Sequence, residues 1–286
     1  MESKEELSSL CSPGAGILDR MVRVSDEATL RVVTFSPPKD SGNPTVLFVA
    51  GWITQMSAWE LVLKEMTKDF RVVYVETREK ISSQVRRGAG QGVGDIAKDL
   101  ADLVDQLDLA PRGYVMFGSS LGATTIVECH PSLRRKPRAV ILVGPNAVFR
   151  VPRIWLIVVT LFYPPLYALI RPVVKWYLKN FRLNVRADMD QYLKYSRALD
   201  AADPWKLKKA LLAVSTYQIW DRLDQLDVPT LLVAASKDTL HEPENLRKMS
   251  LAIPAVTTVD LETNKVTHSG RVVEEMRRFL ERIQGA

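Results

Sequence analysis

Between Thr45 and Val143, short apolar runs rich in β-branched residues alternate with stretches of helical periodicity, and the alternation resumes from Thr230 to Ile283. This rhythm restricts the fold more than any other feature of the chain. Strands separated by helices are joined by crossovers rather than hairpins, which makes a mostly parallel sheet covered on both faces. The runs 45–50, 71–75, 114–117, 139–143, 230–234 and 256–261 read as strands, preceded by 18–24 and 29–35. Helices are predicted over 57–68, 93–109, 121–129, 244–252 and 269–283. In the second of these, Ile96, Leu100, Leu103, Val104 and Leu107 recur on one face. The expectation is an α/β chain with a mostly parallel eight-stranded sheet flanked by helices. Residues 1–15 read as a flexible leader, 16–145 and 227–286 as the α/β core, and 146–226 as an inserted helical cap.

The local feature with chemical meaning is Tyr-Val-Met-Phe-Gly-Ser-Ser-Leu-Gly-Ala-Thr-Thr, residues 114–125. An apolar strand ends at Gly118-Ser119-Ser120-Leu121-Gly122 and a helix follows. This is G-x-S-x-G in the strand–turn–helix setting that exposes a serine hydroxyl above the sheet, with a helix N-terminus aimed at developing negative charge. Outside that setting the motif is only a Gly/Ser turn.

On these residues the chain resembles the α/β-hydrolase fold superfamily, in its cap-bearing branch of esterases, lipases, C–C hydrolases and related enzymes. The resemblance spans roughly residues 18–284 in element order. It implies a triad of Ser120, Asp238 and His268, in that chain order. A serine hydroxyl needs a base to take its proton, and histidine titrates near neutrality. Of three histidines, His130 ends the helix after the nucleophile and reads as a surface or helix-end residue. His241 follows the expected acid, and His268 lies between the last strand and the last helix, where the superfamily keeps its base. Asp238 sits in Val-Ala-Ala-Ser-Lys-Asp, similar to the superfamily's V-x-G-x-x-D with Ala235 for Gly; read without the resemblance, it is an aspartate opening a turn. The alternative position for an acid, after the strand 139–143, holds Asn146. The resemblance also implies an oxyanion hole made by the N–H groups of Leu121 and Trp52, since Ala50-Gly51-Trp52 is similar to H-G-x. The Trp52 ring is equally a candidate pocket wall. At Glu76-Thr77-Arg78-Glu79-Lys80 the superfamily's glycines are absent and no catalytic role is assigned.

Residues 154–170 form an uncharged run of seventeen, too short for a ~20-residue membrane span and broken by Pro164-Pro165. Two short helices are expected. Either they pack over the core and line an acyl pocket, with Trp52, Trp155 and Phe162 as substrate-binding residues, or they form an interfacial lid touching anionic lipid. From Pro131 to Ala187 there are eleven Lys and Arg and no Asp or Glu. The aliphatic and aromatic runs between them point to a membrane surface or a greasy anionic substrate rather than nucleic acid.

The N-terminal MESKEELSSL lacks the pattern of a secretory signal, and two cysteines do not make a disulfide framework, so a cytoplasmic protein, peripheral at most to a membrane, is expected. Scattered histidines and cysteines offer no zinc spacing, and no nucleotide motif follows a strand, so no metal or cofactor is expected. The expected activity is cleavage of carboxylic ester or related acyl bonds of a hydrophobic substrate through an acyl-enzyme. A thioesterase, a C–C hydrolase or an acyltransferase would use the same triad. A non-catalytic lipid- or ligand-binding protein on this fold, or a membrane-surface adaptor, are the readings from other classes.

Overall fold

The computed structural model describes residues 2–107, 109, 113–149, 151–183, 185, 189–237 and 243–285. Among the described residues, nine strands form one sheet: β1 (Gly16–Arg23), β2 (Ala28–Ser36), β3 (Thr45–Val49), β4 (Val72–Glu76), β5 (Gln84–Val85), β6 (Tyr114–Ser119), β7 (Val140–Val143), β8 (Thr230–Ala234) and β9 (Val256–Asp260). The spatial order is β1-β2-β4-β3-β6-β7-β8-β9, with β5 paired to β2. Pairing is antiparallel among β1, β2 and β4, and between β2 and β5; it is parallel from β4 to β9. Eight strands lie where the alternating pattern predicts them. The ninth, β5, has two residues and therefore no readable period.

The helices are α1 (Lys4–Ser9), α2 (Glu60–Met66), α3 (Val93–Gln106), α4 (Leu121–Cys129), α5 (Arg153–Leu161), α6 (Tyr167–Tyr177), α7 (Met189–Ala201), α8 (Pro204–Val214), α9 (Pro243–Ala252), α10 (Asn264–Thr267) and α11 (Gly270–Gln284). The buried strands β3, β4, β6 and β7 carry apolar side chains on both faces, because helices cover both. One face packs against α3, α4 and α9 through Leu100, Leu103, Ile126 and Met249. The other packs against α1, α2 and α11 through Leu7, Leu63, Val272 and Met276.

The N-terminus differs from the expected leader. Ser3 and Glu6 form a reciprocal capping box on α1, and Leu7, Leu10 and Cys11 are buried in the core. Ser12 N–H donates to Thr67 Oγ1 at 2.8 Å, and its hydroxyl donates to the Thr67 carbonyl at 2.9 Å. The buried Arg31 guanidinium holds Asp19 at 2.7 Å and also reaches Glu2. Burial of these three apolar side chains in the core outweighs the low helix-forming power of six residues.

The insertion between β7 and β8 holds α5 to α8. It departs from the first of the two expectations for the apolar run: no residue of α5 is buried. The α6 helix is fastened inward by Tyr167, whose hydroxyl donates to the Leu199 carbonyl of α7 at 2.9 Å.

Candidate active site

β6 ends at Ser119 and α4 starts at Leu121, so the chain reverses at Ser120. Ser120 has φ 50° and ψ −119°. A non-glycine residue there stores of order 1–3 kcal/mol, which the surroundings must hold. The Ser120 N–H donates to the Val143 carbonyl at 2.9 Å, and its own carbonyl accepts from Thr124 N–H at 3.0 Å. Gly122 is required by close approach: a Cβ there would collide with the carbonyl oxygens of Val49 and Ala50 at the end of β3. A Cβ on Gly118 would lie 2.8 Å from Ala123 N. Both glycines of the motif are therefore packing requirements of the turn.

The loop after β3 runs alongside. A Cβ on Gly51 would sit 3.3 Å from Ser120 Cβ. The next residues, Trp52 and Ile53, turn sharply, and Ile53 has φ 48°, a strained value for a β-branched side chain. The loop is held by its Gly51 carbonyl, which accepts from Lys80 Nζ at 2.7 Å and from Thr54 N–H at 3.2 Å. Lys80 is 4% exposed and pairs with the buried Glu79 at 3.4 Å. Sequence reasoning left Glu79 and Lys80 without a role; an ammonium aimed at a loop 29 residues away leaves no local pattern. Beside them, Arg78 grips Asp99 through two 2.6 Å hydrogen bonds.

His268 caps α10. Its ring stacks on Trp59, with centroids 4.1 Å apart, and Trp59 in turn meets Phe117 of β6 edge-on. His268 Nδ1 lies 2.9 Å from the Asn264 carbonyl and 3.2 Å from Thr267 Oγ1. A carbonyl only accepts, so a hydrogen bond at this contact requires a proton on Nδ1. Asp238 lies outside the described residues, as does His241. Just before Asp238, Ser236 N–H donates to Asp260 Oδ1 at 3.0 Å and Lys237 N–H to the Glu262 carbonyl at 2.7 Å. These bonds tie the end of β8 to the segment that leads to His268.

Trp52 and His268 line one cavity of about 100 Å³, roofed by Gln191, Lys194, Tyr195 and Ala198 of α7. Among the described residues the buried Trp52 ring N–H finds no hydrogen-bond partner. Ser120 is half-buried and is not among the residues that line this cavity. Leu121, at the first position of α4, has an N–H with no acceptor inside the helix. A second cavity, of about 600 Å³, shares Thr54, Gln55 and Ala198 with the first but is lined by Arg31, Glu76, Glu79 and Lys80 and touches neither Ser120 nor His268. Burial pushes the Glu76 carboxyl up to about 7.

Some expected residues are not brought together. Trp155 packs on Tyr177, with ring centroids 5.2 Å apart, and neither it nor Phe162 lines the Trp52–His268 cavity, because α5 lies in the outer layer of the insertion. His130 does end α4, but it is buried rather than at the surface. Burial and the nearby Lys136 ammonium lower its pKa, and Asp227 approaches its ring at 3.4 Å. A residue missed in the sequence is Asn146, whose Nδ2 donates to Ser120 Oγ at 2.8 Å. The signal was its position after β7, one of the places an acid was sought. Among the described residues, no group of three or more His, Cys, Asp or Glu side chains is arranged to hold a metal ion.

Solved structures share this fold over nearly the whole chain. An esterase from Thermogutta terrifontis is 20% identical, with 94% of this chain and 99% of that one covered at a TM-score of 0.71. An enol-lactonase from Burkholderia xenovorans LB400 is 17% identical, with 92% and 100% covered at 0.73. A membrane phospholipase A described as a bacterial virulence factor is 18% identical, with 95% and 88% covered at 0.71. No curated protein sequence matches the chain. The family model for serine aminopeptidase S33 matches residues 41–263. The chain therefore belongs to this hydrolase family, within the α/β-hydrolase superfamily.

Proposed function

We propose that the chain is a serine-nucleophile hydrolase of carboxylic esters. Ser120 Oγ attacks the acyl carbonyl while its proton passes to His268 Nε2, and the negative charge on the tetrahedral oxygen is held by the N–H groups of Leu121 and Trp52. Collapse breaks the ester C–O bond, and His268 returns the proton to the leaving alcohol. Water, deprotonated by His268, then releases the acid and regenerates Ser120. Asp238 is assigned to hold the imidazolium that forms in each half-reaction.

The observation that carries this reading is the backbone of Ser120, strained at the N-terminus of α4 and flanked by the Gly51–Trp52 loop. Strain of this kind persists where the surroundings over-determine it, as they do here. The similar structures that are an esterase and an enol-lactonase support acyl chemistry. The cavity beside His268 is small, about 100 Å³, which favours a short acyl chain over a long one.

A fluorophosphonate probe tests the nucleophile. The folded wild-type chain is expected to be labelled at Ser120 and Ser120→Ala not at all; an unlabelled folded wild type rejects the proposal. A p-nitrophenyl ester series tests the acyl side, with acetyl and butyryl esters cleaved faster than octanoyl; equal rates across the series contradict that part.

A further inference from the structure

The insertion shows the reverse of the usual arrangement of an amphipathic helix: its apolar stripe faces outward. Ile154, Ile157, Val158 and Leu161 follow the i, i+3, i+4, i+7 spacing of one face of α5, and all four are exposed. On α6, Leu169, Val173 and Trp176 are exposed as well. Leu161 and Leu169 are 80% and 73% exposed. The helices are not loose. Trp155 of α5 rests on Tyr177 of α6, and Lys208 Nζ of α8 donates to the Thr160 and Phe162 carbonyls at 2.8 Å each. Folding thus fixes these helices by their inner sides and leaves the greasier sides in solvent.

Charge selects the occupant of this face. Residues 146–226 carry thirteen Lys and Arg against six Asp and Glu, a net of +7 in a chain whose total is +6. Arg153, which begins α5, and Lys179, just after α6, stand exposed. Arg171 and Lys175 share a single carboxylate, Asp200, at 3.3 and 2.7 Å, so that trio keeps a positive charge. A second copy of the chain would bring two cationic faces together. A bilayer with anionic headgroups offers an apolar interior and complementary charge at once. Among the described residues no single helix is long and apolar enough to cross it, and α5 with the helical segment after Pro164 is bent by 110°. Two short helices at that angle suit the interface rather than a span.

We propose that the outer face of α5 and α6 docks on an anionic phospholipid bilayer. This rests on the insertion alone and not on the hydrolase reading, and α7 lies between this face and the Trp52–His268 cavity.

The test is flotation of the full chain with phosphatidylcholine vesicles and with phosphatidylcholine–phosphatidylglycerol vesicles. The wild type is expected to bind the anionic vesicles at least ~10-fold more tightly, with loss of binding at high salt. Leu161→Ser with Leu169→Ser is expected to weaken that binding ~10-fold or more while the thermal unfolding midpoint stays unchanged, since both side chains are exposed. Ser120→Ala is expected to bind as the wild type does. Equal binding to both vesicle types, no binding, or unchanged binding by the double variant overturns the proposal. So does a dimer that the double variant dissociates and that ignores vesicles, because the face would then cover a second copy.

Discussion

Asn146 Nδ2 donates to Ser120 Oγ at 2.8 Å, and the Asn146 backbone is held in turn by Thr124, whose hydroxyl donates to the Asn146 carbonyl at 2.9 Å. The hydroxyl oxygen therefore accepts from the asparagine and keeps its own proton available for another acceptor. This fixes the serine rotamer from the β7 side, opposite the Gly51 loop.

Replacing Asn146 with Ala is expected to lower kcat for p-nitrophenyl acetate by ~10-fold at little cost in stability, about 1 kcal/mol for one lost hydrogen bond. Asn146→Asp is expected to be slower still, because an ionised carboxylate would accept the Ser120 proton and oppose charge building on the substrate. Steady-state kinetics with a urea titration of each variant separates the two effects. An Asn146→Asp variant as fast as the wild type would remove the residue from the site.

Lys80 grips the carbonyl of the same peptide unit whose N–H belongs to Trp52, so it sets the plane in which that N–H points. Lys80→Met alone leaves Glu79 buried without its cation and is expected to cost about 3–5 kcal/mol. The double change Glu79→Gln, Lys80→Met removes both charges and is expected to regain much of that stability. It is still expected to show kcat reduced by ~10-fold or more with KM nearly unchanged, since the loss of one oxyanion donor reaches ~10²–10³. A double variant with wild-type kcat would make Lys80 a purely structural residue.

Glu76 supplies a pH signature. Burial raises its pKa to about 7, above the ordinary 4.5 that it has in the unfolded chain. Between these values the folded protein holds a proton that the unfolded chain releases, so stability falls as pH rises through the interval, by about 3 kcal/mol in total. Glu76→Gln imitates the protonated acid and is expected to abolish this component. Urea midpoints at pH 5 and pH 8 measure it: the wild type should lose more stability between the two than the variant does.

Much of the fold was legible because burial on both faces leaves a plain record in β3, β4, β6 and β7: continuous apolar runs bounded by turn residues. The sharp turn at Ser120 was legible for a related reason, since Gly118 and Gly122 are forced by backbone approach. The capping box Ser3-x-x-Glu6 was also present in the N-terminal segment, but a six-residue helix shows too little periodicity to separate it from a tail. What could not be read were relations between distant loops, such as Lys80 with Gly51 and Asn146 with Ser120. The apolar stripe of α5 was visible too; its direction was not, because periodicity reports that a helix has two sides and not which one meets water.

The crossing at Gly122 has a consequence for how this protein tolerates change. The start of α4 is pressed against main-chain oxygens of β3, with no side chain between them. The spacing of Ser120 and the neighbouring loop is thus inherited from the backbone itself. Trimming Val49 or Ile126 would loosen the interior and lower the melting temperature, yet leave the distance between Ser120 and Gly51 as it was. Robustness and reactivity are uncoupled at this point, and drift in the core can proceed without retuning the reaction.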